Sequence, residues 1–506
     1  MNRSAPRYDR WKAPAQDGQR LIWPQPGDLV SQTTQNAKSL SASNSVLIQN
    51  VPLTELRRRL RESIGHADID RPLIATGHQA ELHHSGVWVK NVLIDALARK
   101  LNGRALHFSV DTDEPKHLSL RWPGGSVALS DEVNLSAKAW SGLLRCPSAD
   151  HLQAVSNQFE SAARDWMFEP VIPAFFESMQ KNCSGYAALP VVLSDSQHEL
   201  DSSLGLQYEA QMFSPICCSE PYLAFAHHIM ARPDAFAADY NASLEQFRHD
   251  NGIRTPGRPM PNLAISSDSV EAPFWLDDLS NQTRSRAKVE LQGGSYCLRC
   301  ADRDSFVFNR DAEGWDAAAK LKSWLEGHRL RISPRALTLT AVLRLLVADQ
   351  FVHGIGGGQY DQVLDELIWR HFKLEPPRFS VTTATLIFPD AVGVPRACLA
   401  CVEQEGHRLR HNLLGDQKLQ LVRAISEAPR KSIERSRLFH RMHEMQDVVA
   451  TTHPALRQWN ARLAEVQQKV QVEKTLFDRE LFYAIQPASR LREMIERYRA
   501  DFRNIQ

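Results

Sequence analysis

The sequence predicts an α/β fold, and three consecutive stretches carry that reading. "PLIAT" (72–76) is an apolar run of strand length, and "GVWVKNVLIDALARKL" (86–101) places apolar residues at helical spacing. "RALHFSV" (104–110) then alternates Leu106, Phe108 and Val110 with polar neighbours. Strand, helix and strand in that order form a β-α-β unit with parallel strands and a right-handed crossover. Gly77 is expected to stop the first strand, Ser85 to cap the helix, and Asn102-Gly103 to end it.

The remaining elements follow in chain order. Residues 1–45, rich in Pro, Ser, Asn and Gln, read as an extended N-terminal arm, and "LTELRRRLRES" (53–63) as a short basic helix. Between 130 and 270, helical pieces such as "HLQAVSNQFESAARDWMFE" alternate with a buried-strand candidate, "ALPVVLSD" (188–195). Residues 273–310 read as β-rich, with a turn at Gly293-Gly294. "SPRALTLTAVLRLLVADQ" (333–350) predicts a helix capped by Ser333 with Pro334 at its first position. The glycine cluster Gly356–Gly358 then leads into the amphipathic segment "QYDQVLDELIWRHF". Past residue 410 the pattern is helical. Leu456, Trp459, Leu463, Val466, Val470 and Phe477 keep a three-four spacing with a charged gap at Glu473, as do Leu438, Met442, Met445 and Val449 without one, and Pro454 stands between the two sets. The expected organisation is an arm (1–45), an α/β core with insertions (46–400) and a helical, coiled-coil part (401–506).

Composition excludes some function classes. The 506 residues carry 60 basic and 59 acidic side chains, a net charge of +1, so bulk charge gives no reason to expect a nucleic acid or anionic membrane as partner. No run approaches the ~18 apolar residues of a membrane span, and the polar N-terminus has no secretory pattern. The expectation is a soluble, cytoplasmic protein with few disulfides. Two CxxC pairs, Cys297/Cys300 and Cys398/Cys401, raise structural zinc as an option against reduced thiols.

Parallel α/β sheets bind ligands at the carboxyl ends of their strands. In the first β-α-β unit those ends are Gly77-His78-Gln79 and "DTDEPKH", which carries Asp111, Asp113, Glu114 and His117. Parallel pairing puts a histidine and an amide opposite a carboxylate cluster, suited to proton transfer or to holding a polar substrate. Asp111 and Asp113 are alternatively caps of the following turn. The helix opening at Ser85-Gly86 offers backbone N–H groups to a phosphate, although neither a dinucleotide nor a P-loop spacing is present. His78, His83 and His84 lack the spacing of a zinc helix, and no metal is expected. "GIGGGQYD" (354–361) is the second candidate, either a ligand-facing loop or a tight turn of positive φ, with Asp361 placed to repel an anion and Arg335 and Arg344 nearby.

The order of "ATGHQAELHHSGVWVKN", "HFSVDTDEP" and "SPRALTLTAVLRLLVADQFVHGIGGGQYDQVLDEL" resembles the bacillithiol biosynthesis cysteine-adding enzymes. Gly77, Gln79, Gly86 and Lys90 match that family's first glycine-glutamine turn and helix, and Asp113 and Glu114 its acidic loop. Pro334, Arg335 and Leu337 are similar to its Arg-Pro element, and Gly356, Gly358 and Tyr360 to its late glycine motif. "FWLDD" with Arg284 or Arg286 resembles its aromatic-acidic strand. The chain departs from the pattern at His78 and at Gln359, which stands where the family has a glutamate. The resemblance implies a Rossmann-like core, a C-terminal coiled coil used for homodimerisation, and an amide-forming ligase that adds cysteine to glucosaminyl-malate or acts on another amine. It implies His78, Asp113 and Glu114 as catalytic residues. Gly77, Gln79, Gly86, Lys90, Arg335, Gly356, Gly357, Gly358, Gln359 and Tyr360 would bind substrate or a nucleotide such as ATP. A non-catalytic protein that binds a nucleotide or sugar and dimerises through its coiled coil is the alternative.

Overall fold

The computed structural model describes residues 11–68, 70–185, 188–255, 257–299, 304–394, 396–412 and 415–505. The chain opens with β1 (Arg20–Trp23), α1 (Pro26–Ser41), α2 (Leu53–Ser63), β2 (Leu73–Gln79), α3 (Ser85–Leu101) and β3 (Arg104–Val110). Helices α4 (Ala149–Ala163), α5 (Ile172–Cys183) and α6 (Leu189–Ser203) precede β4 (Glu209–Met212), which α7 (Glu220–Met230) and α8 (Pro233–Asp250) follow. Then come β5 (Ser269–Asp278), β6 (Thr283–Gln292), β7 (Ser295–Leu298), β8 (Phe306–Phe308), α9 (Gly314–His328), β9 (Leu330–Pro334) and α10 (Ala336–Val342). The core closes with β10 (Gln350–His353), α11 (Ile355–Phe372) and β11 (Ser380–Ala384).

Two sheets organise this unit. The larger runs β1-β11-β10-β2-β3-β4, parallel throughout except for β1, which pairs antiparallel with β11 at the edge. Numbered along the chain, its parallel strands stand in the order 3-2-1-4-5, so the fold is α/β with a Rossmann-like core. Strand order reverses between β2 and β10, where Val352 lies beside Thr76. The second sheet, β8-β7-β6-β5-β9, is antiparallel. One continuous apolar core runs from Leu73, Leu106 and Phe108 of the first sheet to Phe274 and Ile332 of the second. At the amino ends of the parallel strands, Asp349 accepts the Leu73 N–H at 2.8 Å while pairing with the buried Arg57 and Arg61 of α2.

Several local expectations need correction. Residues 26–41 of the supposed extended arm are a 16-residue helix, while residues 1–10 of that arm lie outside the described residues. The buried face of α1 includes Thr33 and Asn36, whose side chains donate to Leu29 O and Asp349 O, so an apolar-periodicity reading passes over it. "ALPVVLSD" forms the first turns of α6, not a strand; Pro190 occupies the helix start, where no N–H is needed. Ser333 and Pro334 end β9 instead of starting a helix, because the Ser333 hydroxyl donates to Asp277 at 2.6 Å. The cap of α3 is His84, whose Nδ1 accepts the Gly86 N–H at 3.1 Å, while Ser85 Oγ accepts from Leu386 N. Gly77 lies within β2, which continues to Gln79.

The chain divides into two compact units. The first comprises residues 1–121, 126–386 and 479–506, and the second 122–125 and 387–478, so the final helix α16 (Ala488–Arg503) belongs to the first and not to a 401–506 appendage. In the second unit, α12 (Leu399–Asn412), α13 (Gly415–Glu427), α14 (Ile433–Thr452) and α15 (Pro454–Leu476) follow one another, with the break at Pro454. Leu456 and Trp459 of α15 are buried with Val402, and Leu463 and Val466 pack against that cluster. Among the described residues, no helix is long and apolar enough to cross a membrane.

Cys398 and Cys401 are disulfide-bonded, contrary to the expectation of reduced thiols. Cys297 is a buried free thiol, and its expected partner Cys300 lies outside the described residues. Among the described residues, no group of three or more His, Cys, Asp or Glu side chains is arranged to hold a metal.

Candidate active site

The strand-order reversal brings the two glycine-bearing loops of the sequence to one edge of the sheet. His353 closes β10 in the register position next to Gly77, so Gly77-His78-Gln79 and Gly354–Gly358 emerge side by side. Crevices of this kind are where open α/β sheets take their ligands. On the far side of β2, Gln79 pairs with Val110 at the end of β3. The Gln79 amide then donates to Asp113 at 2.5 Å, joining the first strand end to the acidic loop.

A pocket of about 290 Å³ opens beside that hydrogen bond. Val110, Thr112 and Asp113 come from the end of β3, Trp275 from β5, Arg335 from the start of α10, and Tyr360 from the second turn of α11. Three residues predicted separately from sequence, Asp113, Arg335 and Tyr360, thus line one cavity. The second sheet is held against it by Arg284, which donates to the Thr112 carbonyl at 2.7 Å and pairs with the buried Asp277. Arg335 pairs with the buried Glu271, which Arg286 also approaches at 3.4 Å, so two guanidiniums share one carboxylate at this wall. The Arg335 guanidinium lies 5.3 Å from the Trp275 ring centroid.

Behind the strand ends sits a buried acid–base cluster. Lys90 is only 3% exposed; its ammonium donates to Gly77 O at 2.7 Å, and burial pulls its pKa down to about 7, against the opposing pull of Glu81. Glu81 is 5% exposed and burial pushes its carboxyl up to about 7, with Asp113 adding to the rise and Lys90 and Lys116 opposing it. One Glu81 oxygen lies 3.6 Å from His78 Nε2, and the other is buried without a hydrogen-bond partner among the described residues. His78 Nδ1 accepts the Gln79 N–H at 2.8 Å. Burial and the neighbouring Lys90 hold His78 neutral, well below the usual histidine range, and pull His83 down to about 3. The two rings stack with centroids 5.2 Å apart.

The opposite wall of the crevice holds a histidine–carboxylate pair. His353 Nε2 lies 2.9 Å from Asp361 Oδ2, which also accepts from Arg344 at 2.5 Å. Asp361 is fully buried and Arg344 and His353 hold its pKa low despite burial, so it does not repel an anion as the sequence reading expected. A Cβ on Gly357 would come within 2.7 Å of His353 Nδ1, which places that nitrogen against the first turn of α11.

Several expected ligand contacts do not survive. Gly86 is buried, its N–H is taken by His84, and a Cβ there would meet Arg479 and Thr383, so the start of α3 is closed to a phosphate. Lys90 lies behind the strand, not in the pocket. Asp111 accepts from the Ser214 N–H and hydroxyl at 2.9 and 2.5 Å, a contact with the segment after β4 and not a cap of the turn that follows β3. Glu114 is exposed and does not line the pocket. Gly356–Gly358 require no positive φ; they form the first turn of α11, where Gly356 and Gly357 are exposed and Gly358 packs on Val381. Gln359 opens the next turn, half-buried. Glu81 and His353 were missed in sequence. Glu81 stands two residues past Gln79, and the only available signal was a carboxylate within seven residues that also hold His78, His83 and His84.

No family model matches the chain, and no curated protein matches it. Among solved structures, a tyrosyl-tRNA synthetase from Archaeoglobus fulgidus complexed with L-tyrosine is similar over 93% of this chain and 99% of its own. Identity is 10% and the TM-score 0.25, a likeness that carries no argument about fold or activity.

Proposed function

We propose that this protein is an amide-forming ligase whose pocket at the end of β3 binds a small amine or its acyl partner. The observation that carries the reading is Glu81, a buried carboxyl that burial pushes up to about 7 and that lies behind the pocket, near enough to the rim residue Asp113 to feel its charge. An amine must lose a proton as its nitrogen attacks an acyl carbon, and a general base works best when its pKa lies near the working pH. In this reading Asp113, oriented by Gln79, holds the ammonium form of the amine. The ammonium gives one proton to solvent. The free amine nitrogen forms the C–N bond as the leaving group departs from the acyl carbon with the bonding electrons, and Glu81 takes the second proton from that nitrogen. Arg335 and Arg286, sharing Glu271, leave net positive charge for a substrate carboxylate.

The motif likeness to the bacillithiol cysteine-adding enzymes supports cysteine as acyl donor and an amino sugar such as glucosaminyl-malate as amine, with His78, Gln79 and Tyr360 in contact with substrate. Activation of the carboxylate calls for a nucleotide such as ATP. The exposed Gly356 and Gly357, on a helix whose N-cap Gly354 has no side chain to bond the free N–H groups, suit its phosphates.

The test incubates the full chain with ATP, cysteine and a panel of amino sugars that includes glucosaminyl-malate, and reads condensation products by mass spectrometry. Amide product that falls at least about a hundredfold in Glu81→Gln supports the ligase. Thermal stabilisation by ATP or by the sugars, with no amide across the panel, leaves the binding protein as the reading that stands.

A further inference from the structure

The Cys398–Cys401 disulfide lies outside the pocket and the proposed ligase chemistry makes no use of it. We infer that Cys398 and Cys401 form a redox-active dithiol centre that exchanges with low-molecular-weight thiols and disulfides. The geometry is that of a reactive pair. Cys398 immediately precedes α12, and its carbonyl accepts the Val402 N–H at 3.3 Å, the position of a helix N-cap. Its sulfur accepts the Cys401 N–H at 3.2 Å, in the place a serine or aspartate cap would take. A thiolate formed there on reduction gains both that N–H and the positive end of the helix, while Arg396 stands two residues upstream.

Exposure and loop size point the same way. Both cysteines are exposed, as is the free Cys218, whereas Cys146 and Cys183 are half-buried and Cys217 and Cys297 buried. The bond spans a sequence separation of 3, a loop too short to restrict the unfolded chain as a structural staple does. Among the described residues no further metal-binding side chain joins the pair.

The exchange balances without any bound group. A small-molecule thiolate attacks one sulfur, forming a mixed disulfide and releasing the other cysteine as thiolate. A second thiolate attacks the small-molecule sulfur of that mixed disulfide, releasing the second cysteine thiolate. Two thiols are thereby oxidised to one disulfide as the protein disulfide is reduced to two thiols, and the reverse sequence reoxidises it.

The test equilibrates the full chain in glutathione buffers from fully reduced to fully oxidised, traps free thiols by alkylation, and reads Cys398 and Cys401 by peptide mass spectrometry. The expected result is a reversible two-electron transition confined to this pair. In Cys401→Ser, Cys398 should accumulate as a mixed disulfide with glutathione, at pH 7 forming about tenfold faster than the mixed disulfide of Cys401 in Cys398→Ser. Helical circular dichroism of both variants checks that they fold, and a Cys398→Ala/Cys401→Ala variant sets the background of exchange at the remaining cysteines. A disulfide that never exchanges across the buffer range overturns the inference. So do equal rates at the two sulfurs, or stoichiometric zinc uptake by the reduced protein that both serine variants abolish.

Discussion

Two buried carboxylates in the first unit live in opposite company. Asp277, in the antiparallel sheet, is fully buried and receives bonds from Arg284, Arg331 and the Ser333 hydroxyl at 2.6–3.1 Å. Glu81, past the end of β2, has a histidine nitrogen 3.6 Å from one oxygen and, among the described residues, nothing bonded to the other. Burial alone therefore does not mark a site. A carboxylate surrounded by donors holds the fold together, whereas one deprived of them has its pKa raised by burial and stays available for proton transfer.

The sharpest way to break that contrast is at Asp277. Asp277→Ala leaves Arg284 and Arg331 facing each other without their shared anion, and breaking a buried pair in this way costs about 3–5 kcal/mol. Urea unfolding followed by circular dichroism should show the midpoint fall accordingly. Glu81→Gln should do the reverse. Amide formation drops about 10²- to 10⁴-fold, while the unfolding midpoint holds or rises because an undersolvated carboxyl is gone. A Glu81→Gln protein that is active and destabilised would show Glu81 to be another structural carboxylate.

The pH dependence sharpens the same comparison. The folded pKa of Glu81, about 7, stands above its ordinary 4.5, so the native state holds a proton that the unfolded chain has lost between those values. Stability contributed by this group is present below pH 4.5 and is lost as pH rises towards 7. Lys90 runs the other way. Its folded pKa of about 7 lies below 10.5, so stability is regained as pH rises from 7 to 10.5. The wild type should therefore show a minimum in these contributions near pH 7, with each arm on the order of 2 kcal/mol after allowing for coupling of the pair. Glu81→Gln should flatten the acid arm and, because Glu81 holds the Lys90 pKa up, start the alkaline arm at lower pH; chemical denaturation at a series of pH values reads both.

These carboxylates also show what a sequence discloses. The β2-α3-β3 unit was readable because its signals are local: apolar period, a stop at Asn102, and alternation through β3. The reversal of strand order was not, because β10 joins β2 across 270 intervening residues, from Gln79 to Gln350. Motif likeness points to Tyr360, and Arg335 and Asp113 are also marked by position, near the glycine cluster and at a strand end, yet their convergence in one pocket depends on that long-range pairing. Glu81 reads in sequence as an ordinary loop acid; its pKa is set by burial behind β2, which no local pattern encodes. Asp361 was misjudged for the same reason, since its neutralising partner Arg344 comes from the turn preceding β10.

The smallest expected effects lie in adjacent glycines of α11 and test whether its first turn is a ligand surface. A Cβ at Gly357 would press on His353 Nδ1 at 2.7 Å. Gly357→Ala should therefore displace that ring from Asp361 and lower stability by about 1 kcal/mol, with the histidine resonances shifting in NMR spectra. Gly356 has open space at its Cβ position and no positive φ. Gly356→Ala should stabilise the isolated protein by about 0.4–1 kcal/mol through the unfolded chain. Nucleotide phosphates drawn close to this backbone would meet the added methyl, so the same variant should weaken ATP binding in calorimetry while its melting temperature rises. Opposite movement of the two readouts separates a ligand surface from an ordinary helix start, where affinity would stay at the wild-type value.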